Sequence, residues 1–157
     1  MSKNTIFKTI ILGLYESGKA YRQALFNAGF CIRDCASNIL DKIQVSQTRV
    51  QLDLVILSVA ELGFKEARYD AICAKAKELG LQLCPAEVGP TLRLTYSDQP
   101  YGEWLWIAMD PLPDSDGGLV AFGVAHGSDG RGLAGDDGVS AYVWGPDGRF
   151  VFVLPRK

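Results

Sequence analysis

The chain has 157 residues, 16 Lys and Arg against 18 Asp and Glu, and 48% hydrophobic side chains. This length fits one domain that buries roughly 70% of its unfolded surface, so a core needs neither metal nor disulfide to form. The formal charge of −2 lacks the basic surplus of a nucleic-acid binder, and the 22% charged and 10% aromatic content excludes wholesale disorder.

Residues 5–12 are rich in β-branched side chains and predict a first strand. Lys8 interrupts the apolar run, and Glu16 and Lys19 follow closely, which argues against a signal peptide. No apolar run reaches the about 18 residues of a membrane span. Ser17 is placed to cap a helix to about Ala28, with Tyr21, Ala24, Leu25 and Ala28 on one face and Gly29 as its stop. A second short helix is predicted over residues 34–43, then a loop over 44–49. Residues 50–59 begin as alternating and become wholly apolar, the pattern of a strand that ends buried on both faces. Residues 65–79 give the clearest helix, with Tyr69, Ile72, Cys73, Ala76 and Leu79 forming one stripe.

After Pro90 the character changes. Strands are predicted over 91–97, 104–109, 119–126, 140–144 and 150–154, separated by Asp-Gly and Pro-Asp-Gly turn signals. Hairpins in series predict an antiparallel sheet. The expected fold is therefore a single α+β domain over residues 1–157: a C-terminal antiparallel meander, an N-terminal helical pair and one long amphipathic helix.

The four cysteines, Cys31, Cys35, Cys73 and Cys84, form no C-x-x-C pair, and His126 is the only histidine. Free thiols in a cytoplasmic protein without metal or cofactor are the expectation. Gly13–Ala20 has the spacing of a phosphate loop, follows a strand and opens a helix. It lacks the hydroxyl that would hold Mg²⁺, because Ala20 stands there, and Leu14 and Tyr15 are bulky for a phosphate cradle. Asp114-Ser115-Asp116-Gly117 resembles a calcium loop only in part, with Leu112 where a ligand is needed. Residues 110–148 hold seven Asp and one Arg, a local charge of −6. This acidity adds to the case against nucleic acid, and turn chemistry accounts for the Asp-Gly pairs.

Residues 84–110 concentrate the groups able to do chemistry. Glu87, Asp98 and Glu103, with His126, are the candidates for acid–base catalysis, as in a small hydrolase with paired carboxylates. Arg93, Tyr101 and Trp104 are the candidates for ligand contact, since such side chains anchor interfaces. Strand alternation places Trp104 and Trp106 on one face, with Trp104 next to the turn and nearer to a ligand. The expected function is a small binding or interaction module acting on a protein, a peptide or a small ligand, with no membrane or nucleic-acid role. Ligand identity and oligomeric state stay open.

Several blocks carry a resemblance: Leu52–Val55, Ser58–Phe64, Glu78–Leu81, Leu83–Pro90, Leu92–Leu94, Asp98–Pro100, Gly102–Leu105, Ile107–Met109 and Asp114–Gly117. They resemble an uncharacterised family of small proteins from uncultivated bacteria. The resemblance implies a self-contained bacterial intracellular protein and implies no activity, substrate or cofactor.

Overall fold

A computed structural model describes residues 5–156. The elements run β1 (Lys8–Leu12), α1 (Gly18–Asn27), β2 (Cys31–Ile32), α2 (Asp34–Leu40), β3 (Val50–Ser58), β4 (Ala67–Arg68) and α3 (Tyr69–Glu78). Then follow α4 (Val88–Thr95), β5 (Trp104–Ile107), β6 (Leu112–Pro113), β7 (Leu119–Gly127), β8 (Gly130–Asp136), β9 (Val143–Trp144) and β10 (Arg149–Leu154). No helix among the described residues is long and apolar enough to cross a membrane.

The class is α+β, but the expected antiparallel meander is overturned. The main sheet is mixed and curled, in the order β1-β3-β10-β5-β7-β8-β2, and β10 with β5 and β8 with β2 are parallel pairs. β10 is an interior strand, flanked by β3 and β5. Its run Phe150-Val151-Phe152-Val153 is buried throughout, so it needs cover on both faces, which an interior position supplies.

The stretch read as a strand over 91–97 is helix α4. Thr91, Leu92, Arg93 and Leu94 imitate strand alternation because the helix is buried nearly all round and shows no polar stripe. Pro90 fits its first turn, where a missing N–H costs nothing. The expected strand over 140–144 shrinks to β9, which leaves the main sheet to pair with β4. β8 was not expected, since three of its seven residues are glycine. Two of them serve close packing: a Cβ at Gly132 would lie 2.3 Å from Cys31 Sγ, and one at Gly135 2.9 Å from Val120, while Gly130 supplies a φ of +96°.

Helix α4 fixes the shape of the sheet. It touches β1 near one edge and β7 and β8 near the other. A flat sheet would hold β1 and β8 about 24 Å apart at 4.8 Å per strand, while an eight-residue helix is only about 12 Å long. The sheet therefore curls around α4. Its inner face presents Ile10, Leu12, Leu54, Phe122, Val124 and Val151 to α4, α1 and α2, all within one hydrophobic core. Phe122 leaves no room for a side chain at Gly89, where a Cβ would lie 2.5 Å from its ring. The outer face carries Phe150, against which Tyr69 of α3 packs at 6.0 Å between ring centroids. The stripe expected on α3 is present, with Ile72 and Ala76 fully buried and Leu79 half-buried.

Candidate functional site

The candidate residues fall at three places around α4. At its N-terminal end, Glu87 is buried. Its carboxylate accepts the N–H of Gly13 at 2.7 Å, the N–H of Ser46 at 2.8 Å and the hydroxyl of Tyr21. Thr91 donates in turn to the Tyr21 oxygen at 3.2 Å. Burial, reinforced by the Glu87 hydrogen bond, pushes the Tyr21 hydroxyl far above its ordinary pKa. Three donors thus satisfy this buried carboxylate without a cation.

This network also explains the phosphate-loop pattern. The Gly13 N–H that would meet a phosphate is taken by Glu87. Gly13 has a φ of +80°, and a Cβ on it would lie 2.3 Å from the Thr48 carbonyl. A Cβ on Gly18 would lie 1.9 Å from the Leu40 carbonyl. Ser17 caps α1 by accepting the Ala20 N–H at 3.1 Å. Both glycines and the serine thus have packing and capping roles. The loop does wall an open cavity of about 570 Å³, lined by residues 13–16 and 45–47.

At the C-terminal end of α4, Arg93 is fully buried. Its guanidinium donates to Gln99 Oε1 at 2.6 Å, to the carbonyls of Ala125 at 3.0 Å and Gly132 at 3.4 Å, and to the carbonyl of Tyr96. It lies 4.8 Å over the Phe30 ring, and its Nε has no partner. Burial, with a contribution from Arg131, lowers its pKa to about 10. Four neutral acceptors stand in for a carboxylate here. Arg93 therefore sits behind the surface, tying α4 to the loop after it and to β7 and β8.

Gln99, also fully buried, extends this tie: its Nε2 donates to the Val124 carbonyl at 2.9 Å. Its own carbonyl accepts from Arg131 Nε at 3.0 Å and faces His126 Nδ1 at 2.9 Å. That contact assigns the His126 proton to Nδ1. Exposed Tyr101 meets the His126 ring edge-on at 5.3 Å. Glu103 is paired with Arg149 at 3.0 Å, and Asp98 is exposed. Burial, with a hydrogen bond to Glu103, raises Tyr96 to about 12. Glu87 and the loop of Asp98 and Glu103 lie at opposite ends of α4, about 12 Å of helix apart. That exceeds the about 5–10 Å at which paired carboxylates hydrolyse a glycoside.

The third place is the outer face of β5, β7 and β8. Trp104 and Trp106 lie on it, 5.3 Å apart. Trp106 is 9% exposed and Trp104 38%, the order expected from Trp104's place beside the turn. They rest on Gly123 of β7, where a Cβ would lie 2.7 Å from Trp104 Nε1 and 3.2 Å from the Trp106 ring. Trp144 continues the row 5.4 Å from Trp106, and Tyr142 lies 5.7 Å from Trp144. At the other end the Arg33 guanidinium lies 5.1 Å over the Trp104 ring and pairs with Asp129 at 3.1 Å. Sequence reasoning missed Arg33, Tyr142 and Trp144 as members of this surface. One signal was legible: Ala121, Gly123 and Ala125 alternate with Val120, Phe122 and Val124, so β7 has one small face able to seat large rings.

Among the described residues no group of three or more His, Cys, Asp or Glu is arranged to hold a metal ion. Fold and site define a small α+β protein whose mixed sheet wraps one buried helix and carries a row of aromatic rings on its outer face. Comparison of the chain with protein-family models, with curated proteins and with solved structures finds no match.

Proposed function

We propose that the protein is a binding module whose contact surface is the aromatic row Trp104-Trp106-Trp144-Tyr142 on the outer face of the sheet. The observation that carries this reading is the partial exposure of Trp104 and Tyr142 at the two ends of a row whose middle, Trp106, is buried. Rings fixed from beneath lose little conformational entropy when a partner covers them, which is why Trp and Tyr anchor interfaces. Arg93 and Gln99 support the surface from behind by fixing the loop that leads into Trp104. The catalytic alternative lacks such support, because Glu87 is consumed by structural hydrogen bonds.

A thermal-shift screen over peptides, oligosaccharides, nucleotides and metal ions tests the reading, since a ligand of the native state raises its melting temperature. Hits are repeated on Trp104→Ala and Tyr142→Ala. The shift should shrink in both variants relative to each variant's own baseline. A hit that keeps its full shift in both, and loses it on substitution at Tyr15 or Gln47, would move the site to the cavity beside Glu87.

A further inference from the structure

The aromatic row ends in an acidic corner whose carboxylates form no ion pair among the described residues. Asp136 of β8 stands opposite Ala121 of β7, so it shares the outer face with Leu119 and Gly123. Asp114 and Asp137 flank Gly118, where a Cβ would lie 3.1 Å from Asp114 Oδ2 and 3.2 Å from Asp137 Cβ. The Tyr142 ring packs on Gly138, and Asp136 and then Asp137 raise the pKa of its hydroxyl. The same field reaches half-buried Cys35, whose thiol is raised first by burial and then by Asp137, Asp136 and Asp114.

Turn geometry uses part of these groups: Asp114 Oδ1 accepts the N–H of Asp116 and of Gly118, and Asp136 Oδ1 that of Gly138. None of the ion pairs among the described residues involves Asp114, Asp116, Asp136 or Asp137. Lys42 reaches this end of the molecule but donates to the Pro113 carbonyl, at 2.7 Å. Within this corner Leu119 and Tyr142 are 47% and 46% exposed. The charge is polarised along the chain: residues 110–148 carry −6 of a total of −2.

We infer that this corner docks a cationic polypeptide segment, one in which Lys or Arg alternates with apolar side chains. The inference rests on the outer face being the binding surface and adds the chemistry of its partner. Apolar partner residues would cover Leu119 and Tyr142, while basic ones meet the Asp carboxylates and the face of the Tyr142 ring. Nucleic acid and anionic lipid are repelled by the same charges, and a small cation alone would leave both apolar side chains uncovered.

The test uses two pools of fluorescent eight-residue peptides with Leu and Phe at the same positions. One pool carries Lys and Arg between them and the other Asp and Glu. Anisotropy measures binding, and tryptophan fluorescence reports contact with the aromatic row. The basic pool should bind, lose affinity as salt rises, and bind about five- to tenfold more weakly to Asp136→Asn/Asp137→Asn. Asp70→Asn, on α3, should bind it as the parent does. Replacing Arg by citrulline in the peptide should weaken binding to the unaltered protein by a similar factor, a check that needs no variant to fold. If the acidic pool binds as well and changes the tryptophan signal, the face remains the binding surface and the cationic assignment is wrong. Basic-pool binding that ignores both the Asn pair and citrulline also overturns it. If neither pool changes the tryptophan signal, this inference and the reading beneath it both fall.

Discussion

Truncating the two tryptophans of β5 separates a ring that holds the fold from one that offers itself to a partner. A Trp side chain buries about 200 Å², worth about 5 kcal/mol at 25 cal/mol per Å². Trp106, 9% exposed, realises nearly all of this, since its ring is walled by Trp104, Trp144 and the Gly123 backbone. Trp106→Ala should therefore cost about 4 kcal/mol, within the usual range for large-to-small core substitutions. Trp104, 38% exposed, realises about six-tenths, and Trp104→Ala should cost about 2–3 kcal/mol. For a chain of this size 1 kcal/mol moves the melting temperature by about 2–4 °C, so the variants should melt about 2–8 °C apart, Trp106→Ala lower. Scanning calorimetry and urea unfolding measure the difference. Equal losses, or a larger loss for Trp104→Ala, would refute the division of roles.

Four further outcomes follow from other parts of the molecule. Glu87→Ala leaves two half-buried N–H groups and the buried Tyr21 hydroxyl without their acceptor and should cost about 2–4 kcal/mol in urea unfolding; an unchanged midpoint would contradict the network. Gly18→Ala should destabilise, because its Cβ meets the Leu40 carbonyl, while Lys19→Ala should change neither stability nor the calorimetric response to ATP; saturable ATP binding abolished by Lys19→Ala would restore the phosphate-loop reading. Arg156, aided by the Thr9 hydroxyl, holds the Asp53 carboxyl below its ordinary range. Its stabilisation is then complete above the unfolded pKa of about 3.9 and is lost as pH falls through the lower folded value. Melting curves of the parent should fall more steeply below about pH 4 than those of Asp53→Asn; parallel curves would contradict the pairing. Burial pushes Cys73 up to about 11 and Cys84 higher still, so a thiol reagent at about pH 8 should label half-buried Cys31 and Cys35 first. Early labelling of Cys84, followed by mass spectrometry, would show that its burial is wrong.

The helices legible in the sequence are those whose burial is one-sided. α1 shows its cap at Ser17 and its stripe through Tyr21 and Leu25, and α3 shows Ile72 and Ala76, because each has a solvent face to contrast with. α4 has almost none: Val88 to Arg93 are all buried, so the 3.6-residue period vanishes and Thr91 and Leu92 read as strand. β8 escaped notice because Gly132 and Gly135 answer to Cys31, Val120 and Ala36, partners that local propensity does not register. The parallel pairing of β10 with β5 arises because the chain leaves the sheet after β8, pairs β9 with β4 and returns between β3 and β5. Turn signals mark each reversal but do not say which strand the chain returns to. The site follows the same division. Trp104 and Trp106 share a face by strand alternation alone, whereas Arg33 and Trp144 join them from segments about 70 and 40 residues away, through sheet pairings that arise only with the tertiary fold.

The account stands most directly on where a ligand touches the protein. Titration of the isotope-labelled protein with the hits of the stability screen, followed by nuclear magnetic resonance, reads this residue by residue through the three indole N–H signals and the backbone amides. The account predicts shifts concentrated at the Trp104 and Trp144 indoles and the amides of residues 138–143, with the buried Gln99 and Arg93 side chains little moved. Shifts confined to Gly13–Glu16 and Val45–Gln47, with the indoles silent, would contradict it.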